Sequence, residues 1–180
     1  MTAKVAPMTR DTRSMLHNII SKDEMVLVDR EIARQMTVLR YKMARALCFG
    51  HVVDAACDAG YGSWFISQNP DVSRVTGLDI DQAALDAATG HYGIETIDNG
   101  RELSRCVEFR QGDLNGAEPF RLVTHPVDVL VTAETLEHLE DPLAFLRKAE
   151  ARGFRRIIMT FPSFKTTHFN FHHLHDLQRS

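Results

Sequence analysis

From about Asp23 to Cys48, apolar residues Ile32, Met36, Leu39, Met43 and Leu47 recur at steps of three and four, which predicts an amphipathic helix. Gly50 is read as its stop, a residue type common just past a helix end. Beyond it the period changes. Short apolar runs predict strands over 51–55, 73–79, 106–110, 127–132 and 156–161, separated by helices near 63–69, 82–91 and 141–151. The polar, glycine-containing stretch Gly93–Glu102 is read as a loop, and residues 1–10 as a loose tail. Strands alternating with helices imply a mostly parallel sheet covered on both faces, an α/β three-layer sandwich of Rossmann-like type. The expected division is an N-terminal segment, 1–22, flexible or helical, and a single domain over 23–180.

The chain of 180 residues has 44% hydrophobic and 25% charged residues, ordinary for a globular protein of one domain. A net charge of −3 argues against non-specific nucleic-acid binding, which needs a basic face. Cys48, Cys57 and Cys106 are odd in number and lack C-x-x-C spacing, so neither a disulfide framework nor a cysteine zinc site is expected. No apolar run reaches the length of a signal peptide or a membrane span, and a cytoplasmic location without membrane contact is expected.

The candidate chemistry begins at Val52-Val53-Asp54-Ala55-Ala56-Cys57-Asp58-Ala59-Gly60-Tyr61-Gly62-Ser63, a buried strand entering a small-residue turn and then a helix. Asp79 ends the next strand about 20 residues on, the arrangement by which an α/β sheet holds a ribose-bearing cofactor. A second constellation is Glu134-x-x-Glu137-His138. Spacing of i, i+3 and i+4 would put these three side chains on one helical face, and two carboxylates with an imidazole suit Mg²⁺ or Mn²⁺ better than structural zinc. His172, in the histidine-rich tail from His168 to His175, is the expected fourth ligand; a tail histidine could equally serve as a general base. The alternative for Glu134, Glu137 and His138 is packing and capping where strand meets helix.

Five segments in order, Val52–Ser63, Val75–Asp81, Val107–Leu114, Val127–Pro142 and Ile157–Pro162, resemble the class I S-adenosylmethionine-dependent methyltransferases. The fourth segment and the block Leu39–Ala44 look most like the small-molecule branch. The resemblance implies S-adenosylmethionine as cofactor and methyl transfer to a small-molecule, sugar or lipid-linked acceptor. It implies that Asp79 and Ile80 meet the ribose, that Asp113 and Leu114 meet the adenine, and that Ala133 and Glu134 line the methionine side. Arg40, Asp54, Ala56, Asp58 and Gly60 complete the cofactor set, with Gly60 letting backbone approach the cofactor. Glu134, His138 and His172 are the catalytic candidates. Some families with a similar E-x-x-E-H and a later histidine bind a metal that engages a substrate hydroxyl.

The family pattern is acid-x-Gly-x-Gly-x-Gly, whereas this chain has Asp54-x-Ala56-x-Asp58-x-Gly60. Asp58 either attracts the cofactor's ammonium, pairs with Arg40, or weakens cofactor binding. Two rival readings therefore stand: a catalytically silent methyltransferase-like subunit, and a metal-assisted RNA 2′-O-methyltransferase. About 19 residues follow Phe161, too few for the last strands of the full fold. The fifth strand is accordingly expected to be an apolar edge covered by a second copy or a partner subunit.

Overall fold

The computed structural model describes residues 22–93, 106–162, 165, 167, 170 and 172–177. Two compact units divide the chain, Met1–Leu39 and Arg40–Ser180. In the first, the described residues form the start of helix α1, Lys22–Arg45. The second contains the end of that helix and a five-stranded sheet with its covering helices. In chain order it runs β1 (Gly50–Ala55), α2 (Tyr61–Ser67), β2 (Val72–Asp79), α3 (Gln82–Tyr92), β3 (Cys106–Gln111), β4 (Val129–Ala133), a single 3₁₀ turn (Leu136–His138), α4 (Pro142–Arg152) and β5 (Arg156–Thr160). The expected tail 1–10, most of the expected loop (94–102), Phe169 and Phe171 lie outside the described residues.

Every strand pair is parallel and the order is β3-β2-β1-β4-β5. The Rossmann-like α/β fold expected from the alternating pattern is the fold observed. Central β1 is buried on both faces, and alternation along it feeds two cores. Val52 enters one with Ile66, Val75 and Leu85; Val53 and Ala55 enter the other with Leu130, Phe145 and Ala149. Asp54 points to the same face as Val52 and is fully buried. Helix starts agree with local chemistry. Asp81 caps α3 by accepting from the Ala83 and Ala84 backbone, and Asp141 caps α4, with Pro142 following it.

Two expectations need correction. Gly50 does not stop the helix: α1 ends at Arg45 and Gly50 already opens β1. Nor does the apolar series read along α1 supply the packing face in the second unit. Met43, and Leu47 just past the helix, are exposed, while Tyr41 and Ala44 on the helix and Cys48 beyond it are buried. The packing face needed small or hydroxyl-bearing residues to approach the sheet, so its hydrophobic signal was weaker than that of the outer face.

Candidate cofactor site

In an open parallel sheet, ligands bind beyond the carboxyl ends of the strands, where the strand order reverses. Here the reversal lies between β1 and β4, and a cleft of about 270 Å³ opens at that end. It is lined from β1 by Ala56, from β2 by Asp79 and Ile80, from the end of β3 by Gly112, Asp113, Leu114 and Asn115, and from the end of β4 by Glu134, Thr135, His138 and Leu139.

The turn after β1 has left-handed backbone at every second residue: Ala56 (φ 60°), Asp58 (φ 47°) and Gly60 (φ 81°). These are the three positions at which the resembled pattern has glycine. The backbone shape is therefore kept where two of the glycines are not, at a steric cost borne by Ala56 more than by Asp58, since Asp tolerates this region better. The Asp58 side chain is exposed. Its backbone N–H, by contrast, donates to Asp79 Oδ2 at 2.8 Å, and Asp81 N–H donates to Oδ1 at 3.0 Å. Two amides thus fix the Asp79 carboxylate, and each oxygen keeps a lone pair for a ligand hydroxyl. Gly60 has a packing reason of its own. A Cβ there would collide with the Phe109 ring and Ala88, so its absence permits close approach of the turn to β3 and α3.

Beneath this turn sits Asp54. Its carboxylate accepts from the Ser63 hydroxyl at 2.7 Å and from the Tyr41 hydroxyl at 3.1 and 3.3 Å. Burial pushes its pKa up to about 7, against the lowering effect of those two donors. Burial also raises the Tyr41 hydroxyl well above the ordinary tyrosine value, with the Asp54 charge adding to it. Cys48 and Cys57 are free thiols, both pushed up by burial, Cys48 to about 12.

The loop after β4 works through side chains. Glu134 has left-handed backbone (φ 54°), donates its N–H to the Thr160 carbonyl, and reaches Arg40 Nη2 at 3.2 Å. Arg40 thus pairs with Glu134, not with Asp58. Glu137 lies on the 3₁₀ turn, only 1% exposed, and neither carboxylate oxygen has a hydrogen-bond partner among the described residues. Burial raises its pKa. His138 Nδ1 lies 2.9 Å from the His172 carbonyl, which can only accept, so Nδ1 carries the proton and Nε2 is left as acceptor. Ligating atoms of Glu137, His138 and His173 lie within 4.8 Å of one another.

Residues 53–152 match the family described as a methyltransferase domain, more than half of the chain. The chain belongs to that methyltransferase family. It falls in the class I S-adenosylmethionine-dependent superfamily. Among solved structures, this methyltransferase domain is similar to the YcgJ protein from Bacillus subtilis, with 17% identity and a TM-score of 0.49 over 67% of this chain and 49% of that one. It is similar to PH0226 from Pyrococcus horikoshii OT3, with 20% identity and a TM-score of 0.48 over 74% and 58%. It is also similar to the DhpI–SAH complex, with 24% identity and a TM-score of 0.47 over 68% and 53%. The chain spans about half the length of these structures. No curated protein matches it.

Of the residues singled out in the sequence, the cleft brings together Ala56, Asp79, Ile80, Asp113, Leu114, Glu134 and His138. Arg40 joins through Glu134. Asp54, Asp58, Gly60 and Ala133 are not among its lining residues; Asp54 and Asp58 act from behind, one through its side chain and one through its backbone. Glu134, Glu137 and His138 do not share a helical face, because Glu134 precedes the 3₁₀ turn in a left-handed conformation. The histidine beside His138 is His173, its ring centroid 4.7 Å away, and His172 contributes its carbonyl instead. Gly112, Asn115, Thr135 and Leu139 went unmarked, although Gly112 and Asn115 flank the acid that was marked.

Among the described residues, no helix is long and apolar enough to cross a membrane.

Proposed function

We propose that the chain transfers a methyl group from S-adenosylmethionine to a small-molecule, sugar or lipid-linked acceptor. The observation that carries this is the Asp79 carboxylate, fixed by the Asp58 and Asp81 amides at the carboxyl end of β2 and lining the cleft. The cofactor would supply a methyl on a sulfonium, open to in-line displacement. Asp79 would accept hydrogen bonds from the ribose hydroxyls, and Asp113 would face the adenine amino group. Arg40 and Glu134 hold opposite charges suited to the carboxylate and ammonium of the amino-acid end. Beyond this the domain's contribution is alignment and exclusion of water. For a hydroxyl acceptor, His138 Nε2 is the candidate base. Calorimetric titration with S-adenosylmethionine and S-adenosylhomocysteine tests the reading. Absence of binding by either would favour the silent-subunit alternative.

A second reading, a bound divalent metal, is favoured by one observation: the buried carboxylate of Glu137, without a hydrogen-bond partner among the described residues, beside His138 and His173. Two imidazoles and one carboxylate suit Mn²⁺ or another transition metal better than Mg²⁺. Such an ion would neutralise Glu137 and polarise a substrate hydroxyl, as the RNA 2′-O alternative would require. A rise in melting temperature with Mn²⁺ that Glu137→Gln abolishes is the expected result.

The oligomer reading is likewise a proposal. Among the described residues β5 pairs only with β4 and leaves Met159 and Phe161 partly exposed. Light scattering at micromolar concentration tests whether a second copy covers them.

A further inference from the structure

Asp54 poses a question that cofactor contact does not answer. A carboxylate fully buried in the central strand costs several kcal/mol in desolvation unless its partners repay it, and among the described residues two hydroxyls donate to it. Those hydroxyls come from different elements. Ser63 lies in the first turn of α2, immediately beyond the cofactor turn, and Tyr41 lies near the end of α1. The Tyr41 ring also rests on Gly62, where a Cβ would overlap it. Tyr41 is therefore held twice, by its ring on α2 and by its hydroxyl on β1. Its neighbour Arg40 extends to Glu134, which lines the cleft. Successive helical residues point about 100° apart, so a fixed Tyr41 leaves Arg40 one direction in which to project.

We propose that Tyr41 is a positioning residue for the cofactor site: through Asp54, Ser63 and Gly62 it locks the end of α1 to β1 and α2, on either side of the turn, and so aims Arg40 at Glu134 in the cleft wall. This rests on the reading of the cleft as an S-adenosylmethionine site. The lock makes Arg40 part of a preformed site rather than a side chain ordered at binding, which saves the ordering cost at that step.

The test uses the full chain and S-adenosylhomocysteine as probe. Tyr41→Phe keeps the ring and removes the hydroxyl. We expect it to stay folded by circular dichroism and to bind the probe about five- to tenfold more weakly. The decisive readout is a double-mutant cycle with Arg40→Ala. In the wild-type background Arg40→Ala should weaken binding about tenfold; in the Tyr41→Phe background it should cost less than about threefold. A residue that only supports the fold would lower the melting temperature and leave the effect of Arg40→Ala unchanged. Equal effects in the two backgrounds, or unchanged affinity in Tyr41→Phe, overturn the proposal while leaving the cofactor reading intact. No binding by wild type overturns both. Should Tyr41→Phe fail to fold, Ser63→Ala removes the second donor and should show the same reduced dependence on Arg40; full dependence there overturns the lock.

Discussion

Two strand-end loops flank the cleft, and each stands over a buried carboxyl. Under the turn after β1, Asp54 is held by Tyr41 and Ser63. Under the loop after β4, Glu137 has no hydrogen-bond partner for either oxygen among the described residues. The first loop presents backbone: the Asp58 side chain points to solvent while its amide clamps Asp79. The second presents side chains, Glu134 to Arg40 and His138 to the cleft. A loop that works through its amides can change side chains and keep its geometry. One that works through side chains cannot. This explains how Ala56 and Asp58 occupy positions where the resembled pattern has glycine without loss of the left-handed turn.

The largest effect should appear in the pH dependence that Asp54 sets. Asp54 is raised from 3.8 to about 7, so the stability tied to its neutral form is complete below about pH 3.8 and lost as pH rises through about 7. At about 1.4 kcal/mol per unit this is on the order of 4 kcal/mol. Asp54→Asn should remove that slope, measured by urea unfolding from pH 4 to 8. Wild-type and variant curves that run parallel would show that the two hydroxyls compensate the charge fully.

Asp79→Ala is the next largest. Removing the proposed ribose acceptor should weaken S-adenosylhomocysteine binding by about 1.5–3 kcal/mol, the range for hydrogen bonds to a charged group. Unchanged affinity with an intact fold would mean that the backbone-presenting turn holds something other than this cofactor.

Glu137 tests the other loop. Its pKa is raised by burial, so it too favours the protein below the ordinary carboxyl range and costs stability as pH rises above it. Glu137→Gln, measured at pH 7.5 after chelation, should therefore gain about 1 kcal/mol, or roughly 2–4 °C in Tm. A loss instead would show that a partner outside the described residues holds the carboxylate.

The strands and helices of the sheet were legible because apolar period and turn residues agree with the parallel sheet they form. The place of Asp79 in the cleft was legible because its position at a strand end, about 20 residues past the turn, is itself the signal. Three features were not. Glu134-x-x-Glu137-His138 has helical spacing, yet the left-handed Glu134 breaks the helix before it starts, and nothing in residue type announces that. The tail histidines are too alike in sequence for spacing to choose His173 over His172. The role of Tyr41 depends on Asp54 and Ser63, which lie 13 and 22 positions away and meet it only in the fold.

The smallest expected effects come from restoring glycine to the turn after β1. Ala56→Gly should stabilise by about 0.5–1 kcal/mol, since a left-handed alanine costs about 1–2 kcal/mol and glycine returns part of that gain as unfolded-state entropy. Asp58→Gly should give less, a few tenths of a kcal/mol, because aspartate tolerates the left-handed region. Its effect on cofactor affinity is the sharper measurement. The Asp58 amide donates to Asp79 whatever the side chain, and glycine keeps that amide. Affinity for S-adenosylmethionine should therefore change by less than about threefold, well below the change in Asp79→Ala. A large gain would mean that the exposed carboxylate repels the ligand. A large loss would mean that it holds the ligand's ammonium, and the turn after β1 would then work through side chains as the loop after β4 does.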